Sequence, residues 1–209
     1  MTVHHSWVVN RPLEGRGGQR PAVDPATGEP FGAVSLLDLE QARSALAAAR
    51  AAYPAWRDAG FAARGRVLLA ARDRILARLD ELAALVAREQ GKPEAEASTA
   101  ELFPSMDALK HLATRAEELL REEPVEPHTL LLAHKDARLV HVPYGVVLVI
   151  SPWNYPFTIP LTGIAAALMA GNTVVLKPAP ATTLIGLVLG DLFREAGIPD
   201  GVLNVVATD

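Results

Sequence analysis

Two short segments of the 209-residue sequence place chemically useful side chains at defined points. Ser151-Pro152-Trp153-Asn154-Tyr155-Pro156 follows the apolar run Val146 to Ile150, and Lys177-Pro178-Ala179-Pro180 follows the run Thr173 to Leu176. In the first, prolines stiffen a loop that holds an aromatic ring and a neutral amide able both to donate and to accept. In the second, a single Lys puts one cation at the end of an apolar strand. Taken singly, each also has a plain reading: a core Trp, a turn-forming Asn, and a Lys that solvates a strand end. Other chemistry finds little footing. The chain has no cysteine, which excludes disulfides, thiolate metal sites and a thiol nucleophile within it. Ser151 lies outside a G-x-S-x-G elbow, and the six histidines show neither metal nor triad spacing, so no metal site is expected.

The elements that must position these segments follow from periodicity. Residues 1–38 are rich in Gly and Pro and read as a loop-rich entry with a strand or two. Residues 39–122 read as helices at about 39–53, 62–90 and 94–121, with apolar residues at 68, 71, 75, 79, 82 and 86 and at 102, 106, 109, 113, 116 and 120. Gly91 and Pro93 end the second of these. Residues 123–143 read as a hairpin of Thr129 to His134 and Arg138 to Val142 around Lys135-Asp136-Ala137. From 144 to 209, the apolar runs 146–150, 173–176 and 203–206 suit strands buried on both faces. Helical stretches at about 157–170 and 182–196, ended by Gly171 and Gly197, separate them. The expected fold class is therefore α/β: a partial doubly wound parallel sheet, Rossmann-like β-α-β-α-β, preceded by amphipathic helices and a β-hairpin. Ligands bind such sheets at the carboxyl ends of the strands, where both segments fall. A sheet cut at its third strand is expected to leave an edge and an apolar helix face uncovered.

Composition sets outer bounds. Hydrophobic residues make up 50% and charged residues 21%, the balance of a folding globular chain. Twenty basic against 24 acidic side chains, net charge −4, argue against nucleic acid or an anionic membrane surface as partner. The uncharged stretch Val142 to Leu176 is cut by Pro143, Pro152, Pro156 and Pro160, leaving too few residues to span a bilayer, and reads as buried core. The start MTVHHSWVVNRPLEG lacks the pattern of a secretory signal, so a cytoplasmic protein is expected. No G-x-G-x-x-G phosphate loop is present.

GVVLVISPWNYPF, AALMAGNTVVLKPAPAT and FREAGIPDGVLNVV together resemble the cofactor-binding region of the aldehyde dehydrogenase superfamily. DPATGEP, AARAAYPAWR and EQGKP extend the resemblance from about Asp24 to the last residue. It implies a domain for NAD or NADP, packing helices before it, and a hairpin that contributes to a homo-oligomer. It also implies site residues. Asn154 matches the Asn whose amide helps hold the oxyanion formed when a cysteine thiolate attacks the aldehyde, and Lys177 matches the Lys that hydrogen-bonds the adenosine ribose. Ile150, Ser151, Pro152 and Trp153, with Asn154, match the segment along the dinucleotide, and Pro178, Ala179 and Pro180 complete the loop beside the ribose. For Asn154, a local role capping the helix near Phe157 stands as the plainer alternative.

The family's cysteine nucleophile, glutamate base and glycine turn under the pyrophosphate lie C-terminal to the matched region, and Pro180 stands where many members carry a ribose-binding Glu. The expectation is the N-terminal portion of an NAD(P)-dependent aldehyde dehydrogenase, oxidising an aldehyde to a carboxylic acid, inactive as this chain alone. Its partners would be a small-molecule aldehyde in the complete enzyme and either further copies of itself or a complementing C-terminal half. The alternative is a non-catalytic pseudoenzyme or interaction subunit that keeps the fold.

Overall fold

The computed structural model describes residues 2–129, 131 and 134–208. The last third of the chain forms a parallel unit: β8 (Val146–Ile150), α6 (Thr158–Met169), β9 (Thr173–Lys177), α7 (Thr183–Glu195) and β10 (Leu203–Val205). β9 pairs in parallel with both its neighbours, Leu148 opposite Val175 on one side and Asn204 opposite Val175 on the other. The β-α-β-α-β reading therefore holds, with the helices within a residue of their expected bounds and Gly171 and Gly197 in the left-handed region after them, φ 88° and 79°.

The edge beyond the third strand is not open. The N-terminal segment contributes β1 (Val3–His4), β2 (Ser6–Val8), β3 (Arg11–Leu13), β4 (Gln19–Val23) and β5 (Pro30–Ser35), more strand than its Gly and Pro content suggests. β2 adds antiparallel to β10, Trp7 opposite Val205, and β3 follows it, so the five-stranded order is β3-β2-β10-β9-β8. The Ser6 hydroxyl also accepts from the Ala207 N–H at 2.9 Å. α7 packs across this junction at Gly190, where a Cβ would lie 2.8 Å from both Trp7 Cδ1 and Val205 Cγ2. The edge opposite β3 is β8, and it is apolar. Leu148 and Ile150 are 60% and 67% exposed, and Val142, Tyr144 and Trp153 are exposed too, so the core expected over Val142 to Leu176 runs in fact from Phe157 onward. β9 and β10 are buried on both faces, whereas β8, at an edge of the sheet among the described residues, leaves the face carrying Leu148 and Ile150 exposed.

The helical region covers the sheet with more breaks than its pattern suggests. α1 (Leu39–Asp58) starts at a capping box, Asp38 accepting from the Gln41 N–H while the Gln41 side chain accepts from that of Asp38. The stretch expected as one helix over 62–90 is two, α2 (Gly60–Ala77) and α3 (Leu79–Gln90). Arg78 leaves helical geometry between them, and its guanidinium reaches Glu81, Asp191 and Glu195, a tertiary tie that local periodicity does not encode. The third helix runs as α4 (Glu94–Glu96), a π-helical segment Ala97–Leu102, and α5 (Phe103–Leu119). The hairpin pairs β6 (Glu123–Val125) with β7 (Ala137–Leu139). The expected first strand, Thr129 to His134, lies partly outside the described residues, and its described members are not in a strand. Among the described residues, no helix is long and apolar enough to cross a membrane.

α7 begins on a carboxylate from α3. Glu89, buried, accepts from the Leu184 and Ile185 N–H groups at 2.8 Å each. Burial pushes its pKa up from 4.5 to about 7, and the two amide donors pull it only part of the way back.

Two outcomes follow from this packing. Gly190→Val should cost about 1–3 kcal/mol of stability through overpacking against Trp7 and Val205, read as a lower urea midpoint at unchanged slope; an unchanged midpoint would mean that α7 can move off the sheet freely. For Glu89, the native state keeps a proton that the unfolded chain releases between pH 4.5 and about 7. Its stabilising contribution is complete below 4.5 and declines as pH rises through that window. Urea midpoints across this range should fall less steeply for Glu89→Gln than for the unmodified chain, and equal slopes would count against the assignment.

Candidate functional site

The register of the parallel pair brings the two strand-end segments together. Ile150 is the direct partner of Lys177, and the Ser151 N–H donates to the Lys177 carbonyl at 3.1 Å, so both loops leave the sheet side by side. From there they differ. Ser151 is buried, Pro152 is half-buried, and Trp153 is 61% exposed, so it is not a core residue. Asn154 is exposed, and its side-chain amide makes no hydrogen bond to a described residue. It does not cap α6, so the local alternative for this side chain is not the one adopted. Tyr155 is partly exposed, whereas Phe157 is fully in the core.

In the second loop Lys177 is half-buried, and its ammonium has no ion pair or hydrogen bond among the described residues. Pro178 and Ala179 are buried, and Pro180 is exposed at the start of a short 3-10 turn, Pro180–Thr182. Gly186 of α7 is needed here, because a Cβ on it would overlap the Pro178 ring. The Thr183 hydroxyl donates to the Ala179 carbonyl at 3.1 Å, tying the loop to the first turn of that helix.

The N-terminus of α6 is held by a charged network from the helical region. Glu101, on the π-helical segment and fully buried, accepts through Oε2 from the Phe157 N–H at 2.8 Å and the Thr158 N–H at 3.2 Å. Its Oε1 accepts from Lys92 Nζ at 2.6 Å. Lys92 donates as well to the Asn154 carbonyl at 3.2 Å, and its ammonium lies 4.3 Å from the centroid of the Tyr155 ring, a cation–π distance. With Glu89 on α7 and Glu101 on α6, both crossover helices already have a carboxylate at the end where nucleotide-binding folds commonly seat a phosphate. What the two loops leave available is one neutral amide, one ammonium, and the exposed faces of Ile150, Trp153 and Pro180. Among the described residues, no group of three His, Asp or Glu is placed to hold a metal ion.

Sequence reading missed Glu89, Lys92 and Glu101 as site-forming residues. A signal existed for two of them. Glu101 precedes Leu102 on the apolar face of its helix, and Lys92 sits between the helix-ending Gly91 and Pro93, so each is a charge at a position that packing should bury. Their partners, more than 50 residues on, carry no such mark.

Comparison with known proteins is consistent across sequence and fold. The aldehyde dehydrogenase family profile matches residues 13–209. The chain is 39% identical over 183 residues to N-succinylglutamate 5-semialdehyde dehydrogenase 1 of Caulobacter vibrioides, a match that covers 88% of this chain and 38% of that protein. Among solved structures it superposes on an NADP dependent enzyme of E. coli with a TM-score of 0.92 at 31% identity, covering all of this chain and 42% of the other. A further match is NADP-dependent glyceraldehyde-3-phosphate dehydrogenase from Bacillus halodurans C-125 complexed with NADP, with a TM-score of 0.90 at 28% identity, covering all of this chain and 44% of that one. The chain spans 36–42% of the length of the curated relatives it matches.

Proposed function

Because the chain belongs to the aldehyde dehydrogenase family, we propose that it supplies the dinucleotide-facing, N-terminal part of an NAD(P)-dependent enzyme that oxidises an aldehyde to a carboxylate. The overall conversion joins aldehyde, water and NAD(P)+ to give carboxylate, NAD(P)H and two protons. One observation carries the reading: an unengaged Asn154 amide and an unpaired Lys177 ammonium stand at the ends of adjacent parallel strands, where doubly wound sheets take their ligands.

The residues present fit the ribose end of the dinucleotide. Lys177 would donate to the adenosine ribose, Ile150, Ser151, Pro152 and Trp153 would line the path of the dinucleotide, and Pro178, Ala179 and Pro180 would form the rim beside the ribose. Neither α6 nor α7 offers free amides to the pyrophosphate, since Glu101 and Glu89 occupy them. When bound, the dinucleotide would supply the acceptor for the hydride that leaves the substrate carbon. Asn154 donates to the substrate oxygen as negative charge develops on it. A neutral amide suits that task because it keeps its protons throughout the cycle, and losing one such donor elsewhere costs roughly 10² to 10³ in kcat.

The reacting thiol and base are proposed to come from polypeptide outside this chain, which has no cysteine. The open edge of β8, with Leu148 and Ile150 exposed, is the natural seam for such a complementing half. The β6–β7 hairpin, carrying exposed Val125, Leu139, Val140 and Val142 around it, is suited to contact another copy. The cytoplasm is the proposed place of action.

Two experiments test this. The 209-residue chain should form no NAD(P)H with any of several aldehydes, and addition of the catalytic half of a relative, in cis or in trans, should restore turnover. In that complete enzyme Asn154→Ala should lower kcat by roughly 10² to 10³ with dinucleotide affinity unchanged. Failure of every complement would favour the non-catalytic reading, and an unchanged kcat for Asn154→Ala would remove Asn154 from the chemistry. The second concerns the cofactor. Among the described residues Lys177 has no carboxylate paired with it, so a 2′-phosphate meets attraction without repulsion, worth about 1.5–3 kcal/mol for a charge-assisted hydrogen bond. Calorimetry on the complete enzyme should find NADP accepted, and Pro180→Glu should shift the ratio toward NAD; NAD binding more than tenfold tighter than NADP would refute this.

A further inference from the structure

We propose that the buried Lys92–Glu101 pair is a positioning device that fixes where the Asn154 amide points, an inference that rests on the oxyanion role given to Asn154 above. The Asn154 side chain makes no hydrogen bond of its own to a described residue, so its direction is set by the backbone that carries it. That backbone is gripped at both ends of a five-residue span. Lys92 holds the Asn154 carbonyl, and Glu101 holds the Phe157 and Thr158 amides. The 2.6 Å contact between the two charges makes one rigid piece of both grips, and the Tyr155 ring lies over the ammonium between them.

The placement depends on the π-helical segment. Ala97–Leu102 runs on i→i+5 hydrogen bonds in place of i→i+4, which changes the direction in which its side chains leave the axis, and Glu101 points to the start of α6 from within it. Pro93 follows Lys92 directly, so α3 cannot run on, and Lys92 remains at the junction beneath the loop. Neither charge is needed to solubilise the chain, since Lys92 is 8% exposed and Glu101 0%. Two ions kept out of water beside the one loop that holds Asn154 are a costly arrangement if a neutral pair would pack as well. Fixing a reactive geometry is the use that matches their position, because a donor misplaced by about 1 Å can lose on the order of 10² in rate.

The test has a kinetic arm and a structural arm. In the complete enzyme, Lys92→Met should lower kcat roughly ten- to a hundredfold with little change in KM, and in the Asn154→Ala background it should change kcat no further, because the group it positions is gone. The paired replacement Lys92→Met with Glu101→Gln leaves no uncompensated charge and guards against simple loss of fold; it should show the same dependence on Asn154. In the 209-residue chain, amide exchange at Tyr155, Phe157 and Thr158 should quicken in Lys92→Met while exchange in β9 and β10 stays as it was. Additive effects of Lys92→Met and Asn154→Ala, or unaltered exchange in the loop, would overturn the proposal while leaving the oxyanion role of Asn154 intact. A normal kcat for Asn154→Ala would overturn both, and that result is read before Lys92 is touched.

Discussion

Amide protons at the start of a buried helix must find acceptors, and in this fold both crossover helices find them in carboxylates sent from the helical layer. Glu101 sets where α6 begins and Glu89 sets where α7 begins, so the lengths of the loops after β8 and β9 follow from residues outside the sheet. The two carboxylates meet the same demand under different electrostatics. Glu101 has the ammonium of Lys92 against it, whereas Glu89 has only amides and drifts toward its neutral form. With both helix ends filled, the strand-end crevice offers the Lys177 ammonium and the Asn154 amide in place of the helix-start amides that usually seat a phosphate in such a sheet.

The sheet itself is finished unevenly. Beyond β10 the sheet is extended by β2 and β3, and α7 can lie close over that extension because Gly190 has no side chain to keep Trp7 and Val205 away. The other edge, β8, remains bare and apolar, and it is the edge that carries the Asn154 loop. The candidate site therefore sits at an edge of the sheet, beside the exposed Leu148 and Ile150.

Much of this was legible in the sequence. The β-α-β-α-β order came from three apolar runs separated by two helix-length segments that end in glycine, signals that are local and strong. The strand-end loops were legible for the same reason, since strand ends mark ligand positions without any knowledge of side-chain contacts. What escaped depended on distant partners. The break at Arg78 is held by Asp191 and Glu195, the closure of the sheet by a strand near the other terminus, and the start of α6 by a glutamate 56 residues earlier. In the hairpin, the expected return strand Arg138 to Val142 overlaps Ala137–Leu139 at its first two residues, and the strand it pairs with is Glu123–Val125, a short Pro-containing segment with little β signal, while Thr129 to His134 lies partly outside the described residues.

The pairing of Trp7 with Val205 also has a history in time. A ribosome adding roughly 5 to 20 residues per second needs about 10 to 40 s to travel from one to the other. Throughout that interval the first hairpin has no strand to join, and its Trp ring has no helix above it until α7 is made, shortly before the end. Newly made chains should thus spend their youth with an orphaned aromatic hairpin, a natural handhold for whatever escorts nascent polypeptides, and they should close as a unit only once β10 has emerged.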